Sequence, residues 1–107
     1  MGHATRGMSA PPEVVVNTAT DPDRQTAWLP GPWRTATEQA GEDDFTVRLT
    51  GADDGAGSGV LQVRAGASGG SSVELRLDDD AAGAELGPPQ QILDNLEREV
   101  VDNFNYG

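Results

Sequence analysis

Apolar and polar positions recur along this chain with two different periods, and each change of period marks a new element. In the last stretch Ile92, Leu93, Leu96, Val100 and Phe104 follow one another at helical intervals, with Asp94, Glu97, Arg98, Glu99 and Asp102 between them. That spacing predicts an amphipathic helix over Pro89–Phe104, about 24 Å long at 1.5 Å per residue. Upstream the period drops to two. Phe45–Thr50 places Phe45, Val47 and Leu49 on one face, and Gly59–Ala65 places Leu61 and Val63 inward with Gln62 and Arg64 outward. Ser72–Leu77 places Val73, Leu75 and Leu77 inward with Glu74 and Arg76 outward, while Trp33–Gln39 alternates only loosely. The segments between these runs are rich in Gly, Asp and Ser, the residues of turns. Short strands with no helix between them predict an antiparallel meander with one wet face. The long C-terminal helix covers the dry face, and the fold class is α+β.

The first third of the chain is less regular. Residues 1–10 carry a weak strand pattern. Pro11-Pro12-Glu13 then suits a first helical turn, whereas Val14-Val15-Val16 prefers a strand, so both readings stay open there. Asp21-Pro22 has the form of an N-cap and first helical residue, opening a short helix that ends at Trp28-Leu29 and is stopped by Pro30-Gly31-Pro32.

Composition narrows the function classes. The chain has 107 residues, enough for a single domain over 1–107, with residues 1–7 expected to be loose because Met8 is an alternative start. Eighteen acids oppose seven bases, every base is arginine, and the formal charge is −11. Such a field repels phosphates and anionic lipid, so neither nucleic acid nor a membrane is an expected partner. There is no cysteine, no apolar run long enough to cross a bilayer and no signal-peptide core, and the expected location is the cytoplasm. Arg34, Arg48, Arg64 and Arg76 fall at outward positions of four different strands. They form either a basic face for an acidic partner or a set of weak cross-strand pairs with Glu38, Glu74 and the turn aspartates.

Taken in order, a weak strand, two short helices, a meander and a long closing helix have a counterpart. The segment from Pro12 to Pro30, with Asp21-Pro22 followed by Trp28 seven residues after the aspartate, resembles the opening of the START-like superfamily. This is the helix-grip group that includes polyketide cyclase-like and Bet v 1-like proteins. The resemblance implies two short helices after the first strand, a curved sheet wrapped on the C-terminal helix, and a ligand cavity between the two. The sequence departs from the pattern at Val16, where an aromatic is common, and at Ala19 and Gln25, where larger apolar residues are usual. Only four or five strands are legible, fewer than the family's usual sheet. That shortfall implies a cavity that is shrunken, open at one side or completed by a second copy.

Catalytic chemistry is sparse. His3 is the only histidine and stands near the chain end. Gly66-Ala67-Ser68-Gly69-Gly70 has the letters of a nucleophile elbow, yet strands flank it on both sides, which makes it a hairpin turn. Gly55–Gly59 precedes a strand where a dinucleotide loop needs a helix. Asp53-Asp54 and Asp78-Asp79-Asp80 lack the alternating acids of a calcium loop. No catalytic residue, metal or cofactor is therefore expected; a cyclase-like activity would fall to Arg, Asp, Glu or Tyr106. What remains is an apolar set between sheet and helix: Trp28, Trp33, Phe45, Val47, Leu61, Val63, Leu75, Leu96, Val100 and Phe104. These are the candidate lining of a site for an apolar or amphipathic small molecule, with Gln62, Thr35 or Asn103 as polar fixtures. The same residues also suffice simply to fill a core. The second functional expectation is a ligand-free interaction module, a homodimer or a complex with a protein partner joined through exposed sheet edges.

Overall fold

The computed structural model describes residues 3–29, 33–39, 41, 44–51, 57–66, 69–78 and 86–106. The expected helix stop at Pro30-Gly31-Pro32 and most of the acidic turn residues lie outside them. The element order is β1 (His3–Met8), α1 (Pro12–Thr20), α2 (Pro22–Gln25), β2 (Arg34–Gln39), β3 (Phe45–Thr50), β4 (Ser58–Ala65), β5 (Ser71–Leu77) and α3 (Pro89–Tyr106). The five strands form one antiparallel sheet in the order β1-β5-β4-β3-β2. The weak N-terminal pattern is a strand after all, and it lies beside the last strand of the meander.

Register sorts the side chains into two faces. Thr37, Val47, Leu61, Leu75 and Ala4 stand opposite one another across all five strands, and Gln39, Phe45, Val63, Val73 and Arg6 form the neighbouring row. These rows make the inner face, on which Val47, Leu49, Leu61, Val63, Val73 and Leu75 are wholly buried. The helices cover it unevenly. α3 packs on β1 and β5, α1 crosses from β2 to β5, and the two helices touch each other. Beyond their reach, Thr37 and Gln39 of β2 remain exposed on the inner face.

The valine run resolves as helix. Helix propensity disfavours Val relative to Ala by about half a kcal/mol per residue, whereas burying a valine contributes about 1.5 kcal/mol or more. α1 buries Val15, Val16, Thr18 and Ala19 along one stripe, so tertiary burial overrides the local preference. The helix opens on Pro11, whose carbonyl accepts from Val14 N and Val15 N at 3.0 and 3.2 Å. Asp21 then closes one helix and opens the next. Its N–H donates to Thr18 O at 3.3 Å, and its Oδ1 accepts from Asp23 N at 2.9 Å. α2 ends earlier than the pattern predicted, at Gln25, and the chain continues through a turn to Trp28 and Leu29. Tertiary bonding explains the stop: Gln25 Nε2 donates to Trp33 O at 2.6 Å and its Oε1 accepts from Thr35 Oγ1 at 3.3 Å, which ties α2 to the start of β2.

α3 buries Ile92, Leu93, Leu96 and Val100. Two arginines flank this stripe, each holding acids three residues apart. Arg6 of β1 donates from Nε to Glu97 Oε1 at 2.7 Å and from Nη1 to Asp94. Arg24 of α2 donates from Nη1 to Asp102 Oδ2 at 2.9 Å and to Glu99 Oε1 at 3.3 Å. Hydrogen bonding to Glu97 and to Asp102 raises the two arginine pKa values further above their ordinary range. The chain also crosses itself closely where β1 leads into α1. Ser71 Oγ donates to Ala10 O at 2.6 Å, and a Cβ on Gly70 would stand 2.5 Å from Met8 O. Gly70→Ala should therefore destabilise the fold by about 1–3 kcal/mol in urea unfolding. Gly7→Ala, where a Cβ meets nothing within 4 Å, should leave the midpoint nearly unchanged.

Candidate ligand-binding site

Eight of the ten candidate lining residues come together in the interior. Trp28, Trp33, Val47, Leu61, Val63, Leu75, Leu96 and Val100 belong to one contiguous buried cluster, and Phe45 packs against its margin. Phe104 does not join them. It is 45% exposed at the far end of α3, and Val101 beside it is 42% exposed. The interior set is thus closely packed side chain on side chain, and open space lies at the edge of the helical layer. There, Val14 and Asn17 of α1 face Asn103 and Phe104 of α3 around a hollow of about 390 Å³.

The walls of this hollow are built by ordinary helix geometry. Val14 and Asn17 are three residues apart on α1 and share a face. Asn103 is held from behind: its Nδ2 donates to Thr18 Oγ1 at 2.9 Å, and Thr18 Oγ1 donates to Val14 O at 2.7 Å. Thr18 is fully buried, so this short relay fixes the amide of Asn103 against α1. The result is an apolar pair and two amides around one opening, with no acid–base group among the four. One further polar atom stands out in the core. Trp28 is 3% exposed, and its indole Nε1–H has no hydrogen-bond partner among the described residues. An unpaired buried donor costs about 1–3 kcal/mol, so Trp28 offers a ready donor to any acceptor that reaches it.

Of the three expected polar fixtures, Asn103 lines the hollow and Thr35 bonds Gln25. Gln62 belongs elsewhere. It stands opposite Thr46 and Glu74 on the outer face, because strand alternation puts it away from Leu61 and Val63. Asn17 and Val14 went unrecognised as lining residues because their shared face exists only once the valine run is helical.

The outer face carries charge. A shallow depression of about 110 Å³ is lined by Thr5, Gln62, Arg64, Ser72 and Glu74. His3 Nε2 lies 2.6 Å from Glu74 Oε2, and this hydrogen bond is the main cause that holds the Glu74 carboxyl below its ordinary pKa, with Arg76 and Arg64 adding to it. Arg48 pairs with Glu38 at 3.5 Å and Arg76 with Glu74 at 4.0 Å, both in the open, where such pairs contribute little. Arg34 and Arg64 make no ion pair among the described residues. Nor do the four arginines form one line: Arg48 and Arg76 share a row through Val60, while Arg34 and Arg64 sit in other rows. Among the described residues no group of three or more His, Asp or Glu is placed to hold a metal ion, and no helix is long and apolar enough to cross a membrane.

No known family's sequence profile matches this chain, and no curated protein matches it. Solved structures do. The chain superposes on CalU16 from Micromonospora echinospora with a TM-score of 0.56 at 17% identity, over 92% of this chain and 74% of that one. Protein NE0264 from Nitrosomonas europaea gives 0.58 at 13% identity, over 94% and 93% of the two chains. Protein CV1439 from Chromobacterium violaceum gives 0.53 at 22% identity, over 92% and 95%. The fold is a helix-grip. At such identities the likeness carries the architecture alone, the sheet curled toward a long closing helix with two short helices after the first strand.

The outer-face pair yields a titration test. Because Glu74 has a lower pKa folded than unfolded, its contribution is present above the ordinary carboxylate range and is lost as acid takes the pH down through its folded-state pKa. In His3→Ala the Glu74 pKa, followed by NMR titration of the side-chain carboxyl, should rise toward the ordinary value. An unchanged Glu74 pKa would show that the histidine does not hold it down.

Proposed function

We propose that this protein is a small START-like binding module that takes an apolar or amphipathic small molecule at the hollow between α1 and the C-terminal turns of α3. The observation that carries this reading is the hollow itself, about 390 Å³ and walled by Val14, Asn17, Asn103 and Phe104. Its volume falls in the range of small-molecule sites, and its mixture of apolar side chains with a few fixed polar groups is what such sites use. Phe104 supplies an aromatic wall in open view, and the relay through Thr18 keeps the Asn103 amide oriented before any ligand arrives. Pre-set polar groups raise affinity because less side-chain entropy is lost on binding. The formal charge of −11 favours a neutral or cationic molecule over a phosphorylated one.

The test is a native mass spectrum of protein purified gently from its own host, beside Asn17→Trp. Asn17 is exposed, so an indole there fills the hollow without entering the core. The wild-type chain should carry a discrete extra mass that organic solvent removes, and Asn17→Trp should carry it at about one-tenth the occupancy or less while keeping its circular dichroism spectrum. A bare wild-type chain, or equal occupancy in both, would overturn the proposal.

A further inference from the structure

The two edges of the sheet are finished differently. At one edge, β1 points Arg6 toward α3, where Asp94 and Glu97 hold it, and α3 packs along the strand. An inward charge and a covering helix are the usual means of blunting an edge. At the other edge, β2 pairs with β3 alone among the described residues. It contains no proline, its inner positions are Thr35, Thr37 and Gln39, and five of its six residues are exposed. Among the described residues, β2 thus presents an unblunted edge over 34–38.

We propose that the β2 edge is the contact between two copies of this chain, paired antiparallel about a two-fold axis through Ala36, so that the two sheets become one. The strand's own sequence, Arg-Thr-Ala-Thr-Glu-Gln, favours that register. With Ala36 opposite Ala36 of the second copy, Arg34 stands opposite Glu38 and Glu38 opposite Arg34, all on the outer face. Thr35 and Thr37 stand opposite each other on the inner face, and the small side chain of alanine occupies the axis, where bulk would meet its own copy. Opposite charges at directly facing positions stabilise a strand pair, and facing hydroxyls do so as well. Sliding the pairing by two residues either way breaks both charge pairs. Within one chain these groups are poorly matched: Arg34 has no ion pair among the described residues, and Glu38 meets only the exposed Arg48 at 3.5 Å. The contact leaves the hollow between α1 and α3 untouched, so it stands or falls separately from ligand binding.

The chain has no cysteine, which allows the register to be read by single substitutions. Facing residues of an antiparallel pair have Cα atoms about 4.5–5.5 Å apart, within reach of a disulfide. In the proposed register Thr37 and its copy are offset by two residues, about 8 Å apart and out of reach. Under mild oxidation Ala36→Cys should therefore form a covalent dimer at least about tenfold faster than Thr37→Cys. In sedimentation of the unmodified chain, a dimer should dissociate on dilution. Glu38→Arg should raise its dissociation constant about tenfold, and adding Arg34→Glu to that variant should restore it. A monomer at millimolar concentration would overturn the proposal, whether the edge then stays bare or accepts a strand from a different chain. Equal cross-linking of the two cysteine variants, or a dimer indifferent to charge reversal, would overturn it too.

Discussion

Ile92, Leu93, Leu96 and Val100 lie on the inner face of the sheet, and the rest of the molecule is arranged around keeping them there. Each contributes about 1.5–3 kcal/mol of burial, four such side chains against the three that β5 buries. The two arginines that hold α3 work on a different scale. Arg6 and Arg24 are partly solvated, and solvent screening keeps pairs of that kind weak beside the burial of the stripe. Burial therefore holds the helix on the sheet, and the arginines choose its rotation and its position along the axis. Arg6 and Arg24 come from different elements, β1 and α2, yet each reaches acids spaced by three on the same helix. A turn of α3 in either direction would separate both sets together.

Coverage by that helix is partial, and its limits shape the surface. α3 rests on β1 and β5, α1 spans the middle of the sheet, and β2 is left with little above it. The two open features of the protein follow from this shortage. A hollow remains where α1 and the end of α3 diverge, and a strand edge remains where the sheet runs past the helices. In both places the chain supplies polar or small residues, Asn17 and Asn103 in one, Thr37 and Ala36 in the other.

Most of the architecture was legible because periodicity reports burial. The strands of the meander read clearly since one face of each is dry, and α3 read clearly since its stripe is narrow and continuous. Trp33–Gln39 alternated only loosely for a physical reason: at β2 neither face is well covered, so no pressure separates apolar from polar positions. β1 was faint because its inner row includes Arg6, a charge whose partners lie some ninety residues away. The valine run was a tie locally, and packing on the sheet decides it. The lining residues were legible as a set and misjudged in place. Spacing shows which residues share a face, but it does not show whether they meet each other or leave a gap. Phe104 continued the α3 stripe by period, yet it stands half-exposed beside the hollow.

β1 precedes the other described elements in sequence, yet its partners lie at the opposite end of the chain. It pairs with β5, and Arg6 bonds Glu97 across 91 residues. Closing so long a loop carries an entropic charge that only a nearly complete structure offsets, and topologies dominated by such distant pairings form slowly. β2 to β5 can assemble hairpin by hairpin from neighbours in sequence. Any state in which β2–β5 have paired before β1 docks leaves both edges of the sheet open, and such a state is the one most exposed to pairing with the wrong partner.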